Sequence, residues 1–455
     1  IGGSLLGPVG TVVGGVNGAV GGGIASTIGK GLSLSSSGPI GSFAENRERE
    51  QKAQELKALI DAALERASEV DAAYVKRLVG VRDGTYDHSK LRGNGPQIKM
   101  PWGGSIMVPD EEGKPWPPQG VDSPTEVSNW WNSLTEEERR EFMEKNPDAI
   151  RNLDGMPGQV RDKLNREALP DELDQAEQDM KNAPADSEEA KKAKRRYDDL
   201  KKIQEIMNQK DPTGKPYQLL GLDASGDGDV RAIVASGDVD TAQNVGTVVP
   251  GISTTARDSM DGLVGEANTL RNASGTGHTA TVAYLGYDAP PAFELGKEQN
   301  GSLTDIASSE TANKAAPDLN RFNEGIQTWQ ETQGRDPRIT NHGHSYGSLL
   351  TGTAARDAKI GLLDAVELHG SPGGGVNDVH EYNVPDGQVY TSANRKDIVS
   401  GVGLDGSFGK DPNTLDGAKH IASNDGGHSD YWNNPEFVED ASQIVANEDP
   451  GVDRS

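Results

Sequence analysis

Apolar positions step by threes and fours through Leu56, Leu59, Ile60, Ala63, Leu64, Ala67, Val70, Tyr74 and Leu78, which predicts one long amphipathic helix within residues 43–79. Its apolar stripe requires a cover. Pro and Gly dominate residues 93–120, an irregular stretch. Ser123 then precedes Pro124 as an N-cap precedes a first helical position, and Thr135 with Glu138 has the spacing of a capping box. Helical patterns laced with opposite charges four apart cover residues 171–208, broken near Pro184, and such charge runs read as solvated faces.

After Pro216 the period changes from helix to strand. The runs YQLLGLD, VRAIVASGD and NVGTVVPG are short, β-rich and separated by turns. Strands at 245–249, 279–285, 339–344, 363–369, 388–393 and 420–423 then alternate with helices that end near residue 273, span 319–332, follow the 339–344 strand and close the chain at 437–446. That alternation predicts an α/β domain with a mostly parallel sheet and helices on both faces, over residues 217–447. An all-helical region (123–216) precedes it, after a Gly-rich segment (1–42) and the long helix with its Pro/Gly stretch (43–122); residues 448–455 form a tail. Chemistry in such sheets sits at the carboxyl ends of the strands.

Composition narrows the partners. The balance of 45 basic against 71 acidic side chains gives a net charge of −26, which argues against nucleic acid. With no cysteine, disulfides, thiolate nucleophiles and cysteine metal sites are excluded. Residues 1–29 carry no charge, and Gly10, Gly14, Gly18 and Gly22 recur every fourth position. In a helix they would form a membrane-packing stripe; in water the same segment reads as a flexible linker or soluble hairpin, and both readings stand.

The chemistry converges on residues 339–348, ITNHGHSYGS. A G-x-S-x-G turn between strand and helix places a serine in a strained conformation with its hydroxyl exposed, and the flanking glycines avoid collisions. Here the nucleophile is Ser345. The pattern is permissive in a chain with 57 glycines, so its partners decide. A serine needs a base, and the base an orienting acid. Asp397 follows the strand QVYTSA, and His428 lies in the GGHSDYW loop after the last strand, in the chain order Ser, Asp, His. Asp364, Asp405 and Asp411 compete for the acid. Of the other histidines, His88 and His278 come too early, His342 and His344 belong to the serine's own strand and turn, His369 and His380 precede the acid, and His420 sits near the start of the last strand. His342 and His344 form an H-x-H pair without an evident third ligand, so no metal is expected. Residues 223–229 imitate the opening of a calcium loop, but Val234 replaces the closing Glu and a hairpin turn is expected instead. Oxyanion donors are assigned to the N–H groups of Tyr346 and Ile252, the latter in a turn where Gly251 permits close approach. Gly251, Ser253, Tyr287, Asp288 and His344 are expected to bind substrate.

GHSYGS, VVPGIST, YLGYDAP, HGSPG and GGHSDYW together resemble the actinobacterial α/β-hydrolase family of unknown function, the DUF1023 group, and WWNSLTEEERREFMEKNPDAIRNLDGMP resembles the helical segment ahead of its hydrolase domain. The resemblance covers residues 123–446. It implies a serine hydrolase using Ser345, His428 and Asp397 without a cofactor, and a front region like that of type VII secretion substrates, hence a secreted or cell-surface location and a helical secretion partner. The substrate expected is an ester of a lipid or cell-envelope acyl group. The competing class is a secreted or membrane-associated interaction protein with an inactive hydrolase fold. Asn341 and His342 are polar where the strand before the serine is usually apolar.

Overall fold

In the computed structural model the residues described are 123–290 (less 227), 309–400 and 408–450 (less 449), together with a two-residue antiparallel pair, Ile98–Lys99 with Ser105–Ile106. The expected Gly-rich segment, the long helix within 43–79 and the tail beyond residue 450 lie outside these residues.

The helical region contains α1 (Pro124–Ser133), α2 (Glu136–Lys145), α3 (Pro147–Ile150), α4 (Gly158–Asn182) and α5 (Glu188–Met207). Ser123 caps α1 by accepting from the Glu126 N–H, and Thr135 and Glu138 form the full capping box of α2. Two expectations fail here. Helix α4 begins at Gly158, well before residue 171, and carries Pro170 in its interior. Its start has no local cap. The N–H groups of Gly158 and Gln159 donate instead to the Asp240 carboxylate at 2.7 and 2.8 Å, a cap from beyond the next two strands. The charge run is also not wholly solvated. Asp199 on α5 is fully buried, accepts from the Val230 and Arg257 N–H groups, and pairs with the Arg257 guanidinium.

The sheet strands are β1 (Gln218–Asp223), β2 (Arg231–Ser236), β3 (Asn244–Val249), β4 (Thr279–Leu285), β5 (Arg338–His344), β6 (Ala365–His369), β7 (Val389–Ser392) and β8 (Lys419–His420). They form one eight-stranded sheet in the order β8-β7-β6-β5-β3-β4-β2-β1. From β4 through β8 every neighbouring pair is parallel; β1 and β2 join antiparallel. The acidic loop at 223–229 is therefore a hairpin turn, and Asp223 accepts from the Ser225 N–H and hydroxyl within it.

Alternation along the strands sends Val248, Ala283 and Leu285 into one core with α5, α6 (Ala256–Ala273) and α9 (Pro435–Ala446), while Val245, Val249, Val282 and Tyr284 enter another with α7 (Glu310–Thr332) and α8 (Tyr346–Asp357). Helix α7 starts at Glu310, earlier than the expected 319, and holds Pro317 inside. Asn341 and His342 are buried without exposure. Asn341 accepts from Asn323 on α7, and His342 hydrogen-bonds Thr340.

As the terminal strand, β1 would leave main-chain groups unpaired. Side chains of the helical region take them instead. The Leu219 N–H donates to Asp162, and its carbonyl accepts from Asn165; Arg161 donates to the Leu220 carbonyl. Asn152 both accepts from the Leu222 N–H (3.1 Å) and donates to its carbonyl (2.8 Å), as a neighbouring strand would.

Candidate active site

The register of β3, β5, β6 and β7 aligns Val249 with Gly343, His344 with His369, and His369 with Ser392. Because these strands are parallel, the turns after them open at one end of the sheet. Ser345 follows β5 directly, with φ 56° and ψ −128°, at the position before α8, its side chain making no capping bond to the helix. A non-glycine residue in this region is strained and persists only where its surroundings enforce it. They do so here. A Cβ on Gly343 would fall 2.7 Å from the Gly347 carbonyl oxygen, and one on Gly347 would fall 2.3 Å from that of Val249. A Cβ on Gly251 would meet Ser345 Cβ at 2.8 Å, so the turn after β3 lies directly against the serine.

His428 Nδ1 sits 2.9 and 3.0 Å from the two Asp397 carboxylate oxygens. Asp397 also accepts from Tyr431 Oη at 2.6 Å, the Ser400 hydroxyl at 3.1 Å and the Val399 N–H at 2.9 Å. Burial works against its charge, but the donors from Tyr431, His428 and Val399 outweigh it and hold the carboxyl below its usual range. The competing carboxylates are engaged elsewhere: Asp364 accepts from the Ile339 N–H at the opposite end of β5, and Asp411 caps the turn at Pro412–Thr414. Asp405 lies outside the described residues.

Ser345 and His428 line one cavity of about 380 Å³, with Gly251, Ile252, His344, Leu263, Glu266 and Trp432 among its walls. Gly251 and His344, both expected to bind substrate, are among these walls. His344 has a further task. Its Nε2 donates to the His428 carbonyl at 2.7 Å, and its ring stacks on His369 and contacts His428. Burial and the two neighbouring histidines press it down to a pKa of about 3, so it stays neutral while it braces the loop.

The expectation for Ser253, Tyr287 and Asp288 is corrected, because none of them lines this cavity. The Ser253 N–H is taken by the Pro290 carbonyl, and its backbone is in the left-handed region at φ 57°. Tyr287 is buried behind the turn, its hydroxyl donating to the Pro250 carbonyl at 2.6 Å, so it holds the turn rather than a ligand. Asp288 is exposed beside Gly228. The N–H of Ile252 takes no hydrogen-bond partner among the described residues, and that of Tyr346 opens α8 one residue after the serine.

Sequence reasoning missed Tyr431 and Glu266. Tyr431 stood three residues after His428 in the same loop, and an aromatic hydroxyl so near a candidate base was an available signal. Glu266 gave none, since a glutamate on an amphipathic helix reads as a solvated residue.

The eight-stranded topology with a strained serine at the end of β5 and an Asp–His pair at the ends of later strands defines an α/β hydrolase. A family model described as an alpha/beta hydrolase matches residues 225–404. An uncharacterized protein of Mycobacterium bovis is 32% identical over 208 residues, 43% of this chain and 73% of that relative. The chain belongs to this alpha/beta hydrolase family. An uncharacterized protein of Mycobacterium tuberculosis is 29% identical over 381 residues, covering 77% of this chain and 56% of its own length, so the chain spans about half of that relative. Among solved structures, an esterase of Pyrococcus furiosus is 11% identical, with a TM-score of 0.33 over 51% of this chain and 91% of that one.

Proposed function

We propose that the protein is a serine hydrolase that cleaves an ester through an acyl-enzyme. The observation that carries this reading is the bifurcated contact of His428 Nδ1 with Asp397, made on the wall of the cavity into which strained Ser345 opens. With Nδ1 held by the carboxylate, Nε2 of His428 is the nitrogen left to take the Ser345 proton as the hydroxyl adds to the ester carbonyl. The oxyanion accepts hydrogen bonds from the Tyr346 and Ile252 N–H groups. His428 returns the proton to the departing alkoxide. It then deprotonates water, which releases the acid and restores Ser345.

The expected lipid or cell-envelope acyl group is narrowed by the walls. Thr254, Asp258, Ser259, Glu266 and Ser429 line the cavity, a poor fit for a long alkyl chain. We therefore propose a compact ester with polar substituents, such as an envelope component carries. Resemblance to the DUF1023 group and to type VII substrates supports export; retention of full secretion after deletion of residues 1–122 would overturn that part.

A fluorophosphonate probe tests the chemistry. It is expected to label the wild-type protein and not Ser345→Ala, with hydrolysis across a panel of graded acyl lengths peaking at short chains. An unlabelled wild type, or a labelled variant, overturns the proposal.

A further inference from the structure

The cavity extends away from Ser345 into a cleft between α6 and the loop that carries His428 and Trp432. Asp258, Ser259, Gly262, Leu263 and Glu266 contribute the α6 wall. Their spacing of three and four residues places them on one face of the helix, which follows the candidate oxyanion turn. A rise of about 1.5 Å per residue sets Glu266 about 15 Å along the axis from Ala256.

The charge of this cleft is one-sided. Among the described residues its lining contains two carboxylates, Asp258 and Glu266, and two histidines, His344 and His428, but neither lysine nor arginine. Asp258 is satisfied by its neighbours: it accepts from Thr255 and lies 3.4 Å from Arg257 Nε. Asp397 is committed to His428, Tyr431 and Ser400. Glu266 has no hydrogen bond or ion pair among the described residues. Its carboxyl is pushed up to about 7 by burial, with no compensating partner. Trp432 lines the same cleft, and its ring is fixed edge-on between His369 and Phe437 at centroid distances of 5.6 and 5.3 Å.

A lone carboxylate and a rigid indole in one cleft supply the two elements that bind an ammonium group, a counter-charge and a π face. We propose that Glu266 and Trp432 form a subsite for a cationic nitrogen carried by the ester substrate, in the cavity that Ser345 lines. The inference rests on the hydrolase reading above and makes the substrate an ammonium-bearing ester. The surplus of acidic residues across the whole chain favours the approach of such a cation.

Matched pairs of esters test it on the full chain. One pair places a trimethylammonium group on the alcohol and, in its isostere, a tert-butyl group; a second pair does the same at the tip of the acyl chain. For one of the pairs, wild-type kcat/KM is expected to favour the cation by about tenfold or more. That ratio should fall to about one to threefold in Glu266→Gln and in Trp432→Leu, and persist in Glu266→Asp. A wild type that prefers neither cation, or a Glu266→Gln variant that keeps the full preference, overturns the proposal. Should no ester be turned over, tetramethylammonium binding by calorimetry at about pH 8 decides instead, with an expected weakening of about fivefold or more in Glu266→Gln. Absent binding, or binding unchanged by the substitution, overturns the subsite. Fluorophosphonate labelling of Ser345 judges the hydrolase reading separately.

Discussion

At the turn around Ser345, three glycines are demanded by atoms that cannot move far: the Gly347 carbonyl faces Gly343, the Val249 and Pro250 carbonyls face Gly347, and the serine itself faces Gly251. At the free edge of β1, no such steric demand exists. There the main chain is satisfied by Asn152, Arg161, Asp162 and Asn165, side chains that arrive from the helical region. One region is held by what its residues lack, the other by what distant residues reach across to supply. The first arrangement leaves almost no freedom at the reacting atom, which suits a group that must meet a carbonyl carbon in one geometry. The second secures the fold and prevents edge-to-edge pairing, and small losses there leave the site in place.

The largest effect is expected from Gly347→Ala. Its methyl would sit 2.3 Å from the Val249 oxygen and 2.4 Å from the Pro250 oxygen, both main-chain atoms. Relief requires the turn after β3 to move away from the serine, with a cost of about 3 kcal/mol or more. Because that turn carries the Ile252 N–H, ester hydrolysis should fall by about a hundredfold or more. Denaturant unfolding and kinetics on one preparation read both; near-normal activity would break the steric account.

Asn152→Leu makes the opposite test. It leaves the Leu222 N–H without its acceptor and removes one of two donors to the Leu222 carbonyl, Arg151 remaining at 3.1 Å. The expected loss is about 1–3 kcal/mol in urea unfolding, with kcat/KM of the folded protein within about twofold of wild type. If activity fell as far as in Gly347→Ala, the edge and the site would not be separable.

The same contrast explains what could be read from the sequence. The serine turn was legible because steric exclusion leaves glycine as the sole solution, and glycine at 343 and 347 is visible in one short window. The strands and their order of chemistry were legible because alternation and helix spacing are local. The start of α4 was not, since its cap is Asp240, some eighty residues further on. Asp199 likewise looked solvated on its helix while serving Arg257 and Val230 across the fold. Tyr287 fell in a motif at a strand end and was placed in the pocket; only its hydroxyl bond to Pro250 shows that it props the turn from behind.

Glu266 sharpens the comparison, being a polar group at the site that no described residue reaches across to satisfy. Its folded value of about 7 lies above the ordinary 4.5, so the native state holds the proton more tightly than the unfolded chain. Stability from this group is present below pH 4.5 and is lost as pH rises to about 7. Glu266→Gln removes that loss. The variant should match wild type near pH 4.5 and exceed it by about 2 kcal/mol at about pH 8, measured by urea unfolding at both. An equal difference at the two pH values would show that ionisation is not the cause.

Tyr431 is where both means of holding the site meet. Its ring is packed against His344, His369 and Phe437, and its hydroxyl donates to Asp397 while accepting from the Asn394 N–H at 3.0 Å. Tyr431→Phe keeps the packing and removes these bonds, together with the 3.4 Å contact to the Ser400 hydroxyl. Asp397 then loses one of the donors that offset its burial, and its carboxyl rises from the depressed position it holds in the wild type. A depressed carboxyl stabilises the native state above its unfolded pKa, and that stability disappears as pH falls through the folded value. The deficit of Tyr431→Phe should therefore be about 1 kcal/mol at neutral pH and shrink toward the acid end, where Asp397 is protonated in both proteins. Activity is expected to fall about tenfold, mainly in kcat, because His428 keeps its partner but loses a fixed orientation. The acid limb of the pH profile should also move upward. If kcat fell while the acid limb stayed in place, the hydroxyl would act through position alone, and the electrostatic part of this account would be wrong.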